Sequence, residues 1–365
     1  MDSPLPVDPT DPPLKGSRSF WFQVHFWLGW LAALPIMVVC LTGGALVFEE
    51  ELNAWEHQVS VPAEGKRLEP AEVIQVLASA SPPMRVNHLQ IPKDPTVAYG
   101  AFITETPVGG PNRSFPVSVD PYTGKVTKRG EKLSLSQFLV ALHRNLSAGP
   151  TGQTVVGVSS LVLLVTSLIG LVVWWPMRGG TLGRAWRRGR ARDWHNAVGL
   201  VALAPLAVMA LTGITFTWGK QIFPVLEKVQ GGPVRQMAPK VVVPEGAKKL
   251  PLTEVMEAVA ASYPGAKATG LQPSNFGTSP HQIFLESESS RFSVWLDPYT
   301  GKEIGRMDGK GTGPFGWYQR NFGRIHSMQP YGKLAQVIWG ALSVAGAFLA
   351  GSGLWMTLRR KRVMG

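Results

Sequence analysis

Four long apolar segments constrain this chain more than any other feature of its sequence. They cover residues 20–48, 155–175, 197–218 and 334–358, and none contains Asp, Glu, Lys or Arg. A helix needs about 20 apolar residues to cross the hydrocarbon core of a bilayer. We therefore predict four membrane spans, separated by two long polar loops and one short basic loop.

The basic residues predict the orientation of these spans. They concentrate in two short segments, and cytoplasmic loops carry an excess of Lys and Arg. The first segment contains Arg178, Arg184, Arg187, Arg188, Arg190 and Arg192, and the second contains Arg359, Arg360, Lys361 and Arg362. Both segments are expected in the cytoplasm, with both termini, and the two long loops outside. The formal charge of +12 is then largely a topology signal and does not indicate nucleic-acid binding.

The sequence also contains an internal duplication. His25 and His195 are each followed by Gly at +4, Pro at +10 and Leu-Thr-Gly at +16 to +18. His143 and His326 are each followed by Gly at +14 and Gly-Leu at +27. Asp-Pro-Tyr-Thr-Gly occurs at 120–124 and again at 297–301. The predicted repeat unit is an inner histidine, a span, an external domain, an outer histidine and a second span.

These observations predict a membrane α-helical fold of two repeated halves, each carrying an external α+β domain. The first loop contains a predicted helix at 68–77 and strands at 84–91, 97–104 and 114–119, and the second a helix at 252–263 and strands at 281–286 and 291–296. The predicted segments are a tail (1–19), TM1 (20–48), domain 1 (49–135), outer-histidine helix and TM2 (136–176), basic loop (177–194), TM3 (195–218), domain 2 (219–312), outer-histidine segment and TM4 (313–358) and tail (359–365). Cys40, the only cysteine, excludes disulfides and Cys₄ metal sites.

Four of the seven histidines occupy equivalent positions in the two halves. If the halves pack about a pseudo-two-fold axis, His25 meets His195 near the cytoplasmic side, and His143 meets His326 near the external side. Two imidazoles without carboxylates or thiolates make a poor closed zinc site. They suffice for an iron whose other four ligands are porphyrin nitrogens, so haem fits this set best. A single histidine at a helix end would instead be an interfacial anchor.

Further residues complete the predicted site. The glycines on the histidine face of each helix would admit a flat macrocycle, although glycines at such spacings also allow helices to approach closely; they are Gly29, Gly43, Gly199 and Gly213. The basic residues expected to pair with porphyrin propionates are Arg144, Arg320 and Arg324 outside and Lys15, Arg18 and Arg192 inside. His57, His88 and His281 have no counterpart in the other half and are interpreted as packing or surface residues.

In its spans, its paired Asp-Pro-Tyr-Thr-Gly turns and its four histidines, the sequence from about residue 18 to 360 resembles the PepSY-associated transmembrane helix proteins. These are bacterial inner-membrane proteins that include ferric-siderophore reductases of the ferrioxamine-reductase type. The resemblance implies PepSY folds for the external domains and haem b at both pairs, His25 with His195 and His143 with His326. It also implies reduction of a ferric siderophore in the periplasm, with release of ferrous iron.

Two other functions are compatible with parts of the sequence. The chain could be a non-catalytic protein whose PepSY domains bind an envelope or peptidase partner, with its histidines as anchors. A copper or haem transporter would need polar groups along the whole pore, whereas the middles of the spans are almost wholly apolar. No glycine-rich nucleotide-binding turn is visible. For a reductase, the electrons would therefore come from a cytoplasmic reductase or from quinol.

Overall fold

The structure of the protein is a computed structural model that describes residues 17–81, 83–107, 109–130, 134–175, 179–234, 236–287, 291–308 and 312–363. Lys15 and most of the predicted N-terminal tail lie outside these residues. The helices are α1 (Ser17–Leu46), α2 (Glu49–Glu56), α3 (Pro70–Ala78), α4 (Leu135–Asn145), α5 (Gly149–Trp174), α6 (Thr181–Arg188), α7 (Ala191–Gln230), α8 (Leu252–Ser262), α9 (Gly313–Ser327) and α10 (Lys333–Val363). The strands are β1 (Met84–Gln90), β2 (Tyr99–Glu105), β3 (Arg113–Val119), β4 (Val126–Arg129), β5 (Lys267–Gln272), β6 (His281–Glu286), β7 (Arg291–Leu296) and β8 (Glu303–Met307).

Four helices, α1, α5, α7 and α10, are long and apolar enough to cross a membrane. Each contains one of the four predicted apolar segments, which identifies a membrane-embedded protein. The helix α7 continues beyond the predicted end at residue 218, through a kink where Trp218 has φ −119° and ψ 21°, to Gln230. The predicted basic loop 177–194 contains the helix α6. The sequence did not predict this helix, because the segment is rich in Arg and has too few apolar residues to show a helical pattern.

The four long helices form a ring in the order α1, α5, α7, α10, in which each helix packs against two neighbours. Glycines allow close approach at two of these contacts. A Cβ on Gly340 of α10 would lie 2.9 Å from Val47, beyond the end of α1, and a Cβ on Gly157 of α5 would lie 2.5 Å from Thr217 of α7. The helices α1 and α7 therefore lie diagonally opposite, across the interior of the ring.

The two long loops build one antiparallel sheet of eight strands, in the order β4-β3-β2-β1-β5-β6-β7-β8. The sequence predicted a separate domain in each loop, and the structure differs because β1 pairs with β5. Either strand would otherwise be an edge with unpaired backbone groups. The paired residues Leu89 and Leu271 are both 0% exposed. Burying each such side chain stabilises the fold by about 1.5–3 kcal/mol, which favours one shared core.

One face of this sheet carries the core, which is covered by α3 and α8. Val73 and Leu77 of α3 and Val255 and Val259 of α8 belong to the same buried cluster as the inward side chains of the strands. The sequence predicted α3, α8 and five of the eight strands, since these segments have clear apolar periodicity. It did not predict β4, β5 and β8: β4 and β8 are short and contain charged residues, and β5 contains Gly270, which weakens a strand pattern.

The repeated Asp-Pro-Tyr-Thr-Gly segment forms the same turn in both places. The Asp120 carboxylate accepts hydrogen bonds from the backbone N–H groups of Tyr122 and Thr123, and Asp297 accepts the same two bonds from Tyr299 and Thr300. The closing glycines, Gly124 and Gly301, both have φ +69°, a conformation that residues with a Cβ rarely adopt.

His281 is a buried histidine at the start of β6. It is 5% exposed, and its Nδ1 accepts a hydrogen bond from the backbone N–H of Ser274 at 3.0 Å. Burial, reinforced by the nearby Lys249 ammonium, lowers the pKa of His281 to about 4. The usual value in an unfolded chain is about 6.5. The folded protein therefore holds this imidazole neutral over a pH range in which the unfolded chain protonates it.

We predict that the sheet loses stability as the pH falls from about 6.5 towards 4, because the unfolded chain binds the additional proton. Above this window His281 makes no pH-dependent contribution. Hydrogen exchange at β6 in the full chain, corrected for intrinsic rates, measures the effect. Tyr99 pairs with Val119 at the start of β2 as His281 pairs with Leu296 at the start of β6, so His281→Tyr is the matched variant. Burial also lowers the pKa values of His57 and His88, so both proteins should keep a common residual dependence of stability on pH. An equal pH dependence in the wild type and in His281→Tyr would contradict the assignment.

Candidate functional site

The four histidines with counterparts meet in two pairs within the helical part of the chain. The ring centroids of His25 and His195 are 6.4 Å apart, and those of His143 and His326 are 5.9 Å apart. His25 and His195 come from the diagonal helices α1 and α7, and His143 and His326 from α4 and α9. In each pair one imidazole comes from the first half of the sequence and one from the second, as the duplication predicts.

The two pairs lie at different heights along the bundle. His143 contacts Thr42, whose hydroxyl is 3.2 Å from Nδ1, and Thr42 is on the same helix as His25. A helix rises about 1.5 Å per residue, so 17 residues separate the two levels by about 25 Å along α1. Thr212, which contacts His326, is likewise 17 residues after His195 on α7. This distance is most of the thickness of a hydrocarbon core.

Each of the four imidazoles is held by a hydrogen bond at Nδ1. The partner is the Thr166 carbonyl for His25 (3.0 Å), the Val39 carbonyl for His143 (2.9 Å), the Ser352 hydroxyl for His195 (2.9 Å) and the Thr212 hydroxyl for His326 (2.7 Å), and His326 is also bonded to the Met209 backbone. A carbonyl only accepts, so His25 and His143 carry their proton on Nδ1. In the described part of the chain, no hydrogen bond is made by any of the four Nε2 atoms.

This tautomer leaves the Nε2 lone pair available, and a protonated Nδ1 bonded to an acceptor is the usual arrangement of a metal-ligating histidine. A metal lies about 2 Å from a ligating imidazole nitrogen, so two imidazoles on opposite sides of one metal have ring centres about 6 Å apart. Both observed spacings agree with this value. The described residues contain no group of three or more His, Cys, Asp or Glu that could hold a metal ion. Among the described residues, each pair therefore offers two imidazole nitrogens and no third ligand of these kinds.

Open space lies beside the inner pair. Gly29 is on the same face of α1 as the buried residues Ala33 and Ile36, yet a Cβ built on it would meet no atom within 4 Å. The matching residue of α7, Gly199, would meet only Leu349, at 3.7 Å. A Cβ would therefore have room at both positions, each one turn along the helix from His25 or His195.

Gly43 and Gly213 differ from the expectation. A Cβ on Gly43 would lie 2.9 Å from His143 Cε1 and 3.2 Å from the Ser343 hydroxyl, and one on Gly213 would lie 2.9 Å from the Ser160 hydroxyl. Protein atoms fill the space that was predicted to admit a macrocycle. These two glycines instead allow close packing, because α1 and α7 each pass close to a serine of a neighbouring helix.

Two of the predicted propionate partners lie close to the outer histidines in the sequence. Arg144 directly follows His143, and Arg324 lies two residues before His326. Both are exposed, and Arg324 is 3.5 Å from the Asn321 side chain. They can reach an anionic group near the outer pair. His57, His88 and His281 lie in the two long loops that build the eight-stranded sheet. There His57 contacts Ser118, and His281 contacts Ser274. The structure thus separates these three from the histidine pairs, in agreement with their interpretation as packing residues.

The sequence reasoning missed the residues that hold the histidines in place. In the sequence, Thr42 and Thr212 stand out only as the centre of the repeated Leu-Thr-Gly. That repetition is the signal that could have identified them as partners of the histidines. Gly170 and Gly353 marked the register of the repeat. In the structure they face the inner pair, with a Cβ on Gly170 lying 3.3 Å from His25 and one on Gly353 lying 3.9 Å from His195.

These features define a class of protein: a membrane protein with four spanning helices, paired internal histidines and an antiparallel sheet built from two long insertions. The chain matches the family model of the PepSY-associated TM region over residues 22–360. It belongs to this family, as its resemblance indicated. No curated protein matches the sequence.

We predict that Gly43→Ala destabilises the helical unit by about 1–3 kcal/mol, because the new methyl group must displace His143 or Ser343. Gly351→Ala is the matched control, since a Cβ there would meet only the flexible end of Met37, at 3.7 Å. It should be neutral or stabilise by up to about 1 kcal/mol through helix propensity. Unfolding of both variants in detergent compares them. Equal stability would show that the packing at Gly43 is not tight.

Proposed function

We propose that this protein is an inner-membrane reductase that carries electrons through two haem groups to a ferric siderophore in the periplasm. The observation that supports this most is the state of the four histidines. Two pairs lie about 25 Å apart along the bundle, and their Nδ1 atoms are hydrogen-bonded while their Nε2 atoms are not. This is what two imidazoles need to ligate a porphyrin iron.

In this proposal the chain is a duplication, and each half supplies one ligand to each haem. His25 and His195 hold the inner haem b, and His143 and His326 hold the outer one. A bound haem supplies reversible one-electron chemistry at iron. The residues of this chain orient the imidazoles and offer Arg144 and Arg324 to the propionates on the outside. Two such groups at two depths form a path for electrons across the bilayer.

The direction of electron transfer follows from the proposed orientation. Basic residues around α6 and the C-terminus put these segments in the cytoplasm, so the sheet lies in the periplasm. Within the described residues the cytoplasmic part is little more than α6, so the electrons are supplied by quinol or by a separate cytoplasmic reductase. The substrate is a ferric siderophore, and its reduction releases iron as the weakly held ferrous ion.

The alternative, a non-catalytic PepSY protein that binds an envelope or peptidase partner, treats the histidines as interfacial anchors. Anchors extend towards the headgroups. Here the rings of His25 and His195 come together from diagonal helices, 6.4 Å apart with their planes at 90°, and their Nδ1 atoms are bonded to α5 and α10. This arrangement favours ligation. The alternative predicts a colourless purified protein, whereas the reductase has a haem b spectrum.

We predict that His326→Ala loses one haem and abolishes reduction of external ferric chelate, while the inner haem stays bound. His88→Ala, which changes a histidine of the sheet outside both pairs, should retain both haems and full activity. Haem per protein, the reduced-minus-oxidised spectrum and ferric-chelate reduction in inverted and right-side-out vesicles are the measurements. Full activity with unchanged haem in His326→Ala would refute the assignment.

A further inference from the structure

His195 differs from the other three imidazoles in what holds it. His25 and His143 are bonded to the backbone carbonyls of Thr166 and Val39. His326 is bonded to the Thr212 hydroxyl and also to the Met209 backbone. His195 is bonded to the Ser352 hydroxyl, and among the described residues it has no backbone partner.

The direction of the hydroxyl contacts follows from proton counting. The Ser352 hydroxyl donates its proton to the Leu349 carbonyl at 3.1 Å, and the Thr212 hydroxyl donates to the Val208 carbonyl at 2.8 Å. A hydroxyl has one proton, and a carbonyl only accepts; with that proton on the carbonyl, each hydroxyl oxygen accepts from the imidazole. His195 and His326 thus carry their proton on Nδ1, as do the two carbonyl-bonded histidines, and all four Nε2 atoms keep a lone pair.

We infer that Ser352 is a positioning residue, which fixes the tautomer and orientation of His195 for ligation of haem iron. The inference rests on the proposed function. A hydrogen bond at the far nitrogen raises the basicity of a ligating imidazole, and losing such a partner typically costs about 10- to 100-fold in metal affinity. The hydroxyl that holds His195 can be removed by substitution, whereas the backbone partners of the other three histidines cannot.

The first half of the chain provides matched controls. The Thr166 side chain donates to the Val162 and Leu163 carbonyls, while its backbone carbonyl bonds His25. Thr166→Val therefore removes a buried hydroxyl and leaves the acceptor of His25 in place. Thr42 occupies the position that matches Thr212, and both outer histidines have a backbone partner as well as a hydroxyl: Val39 with Thr42 for His143, and Met209 with Thr212 for His326. Thr42→Val and Thr212→Val should accordingly each have a smaller effect than Ser352→Ala.

The inner pair gives the sharpest test, because Ser352 is the one hydrogen-bond partner of His195 among the described residues. In Ser352→Ala we expect the rate of haem transfer from the inner site to a haem acceptor protein to rise about 10- to 100-fold. The midpoint potential of the inner haem should shift upwards, since a less basic ligand stabilises ferric iron less. Thr166→Val should match the wild type in both measurements. Identical haem transfer and potential in all three proteins would overturn the inference.

A second measurement is made on the haem-free protein and separates the inference from the proposed function. Nitrogen-15 NMR of labelled histidine reports the tautomer, and His195 should be in the Nδ1–H form in the wild type and lose this preference in Ser352→Ala. A wild-type protein that binds no haem would refute the proposed function, and the tautomer would still show whether Ser352 holds His195. An unchanged tautomer in Ser352→Ala would overturn the role of Ser352.

Discussion

The helical unit depends on satisfying four imidazoles inside an apolar bundle. A buried polar group without a partner costs a few kcal/mol, and the spans contain few groups that could serve. The chain meets this requirement with carbonyls of the same helices that build the bundle, and with hydroxyls whose own protons are already bonded to the backbone. The Nε2 atom of each ring is thereby directed away from the partner of Nδ1. The two imidazoles of the inner pair, and the two of the outer pair, lie close together.

Helix packing and histidine placement follow from the same small residues. Gly170 and Gly353 leave space for the inner rings, and Gly43 leaves space for His143. Gly157 and Gly340 bring neighbouring helices together with Thr217 and Val47. A side chain added at these glycine positions would push the helices apart and would also break the hydrogen bonds at Nδ1 of the histidines. A Cβ at Gly29 or Gly199 would have open space around it, and in our proposal a porphyrin lies there.

Much of this arrangement could be predicted from the sequence. The apolar length of the spans, the register of the two halves and the equivalence of the four histidines were all visible, and the pairing of His25 with His195 and of His143 with His326 followed from them. Gly43 and Gly213 were interpreted incorrectly, because glycine at helical spacing looks the same whether it admits a ligand or a neighbouring helix. The partners Thr166, Val39 and Ser352 could not be identified from the sequence. Thr166 and Val39 use backbone carbonyls, which any residue provides, and Ser352 meets its histidine only through the packing of two helices.

The sequence by itself determined the elements that depend on local pattern: four spans from apolar length, α3, α8 and five strands from periodicity, and two identical turns from Asp-Pro-Tyr-Thr-Gly. Tertiary structure alone decided that β1 and β5 pair to join both loops into one sheet. It also decided which atom holds each imidazole. The physical reason is that edge pairing and hydrogen bonding between helices depend on which surfaces meet in space, and the same local sequence is compatible with several such meetings.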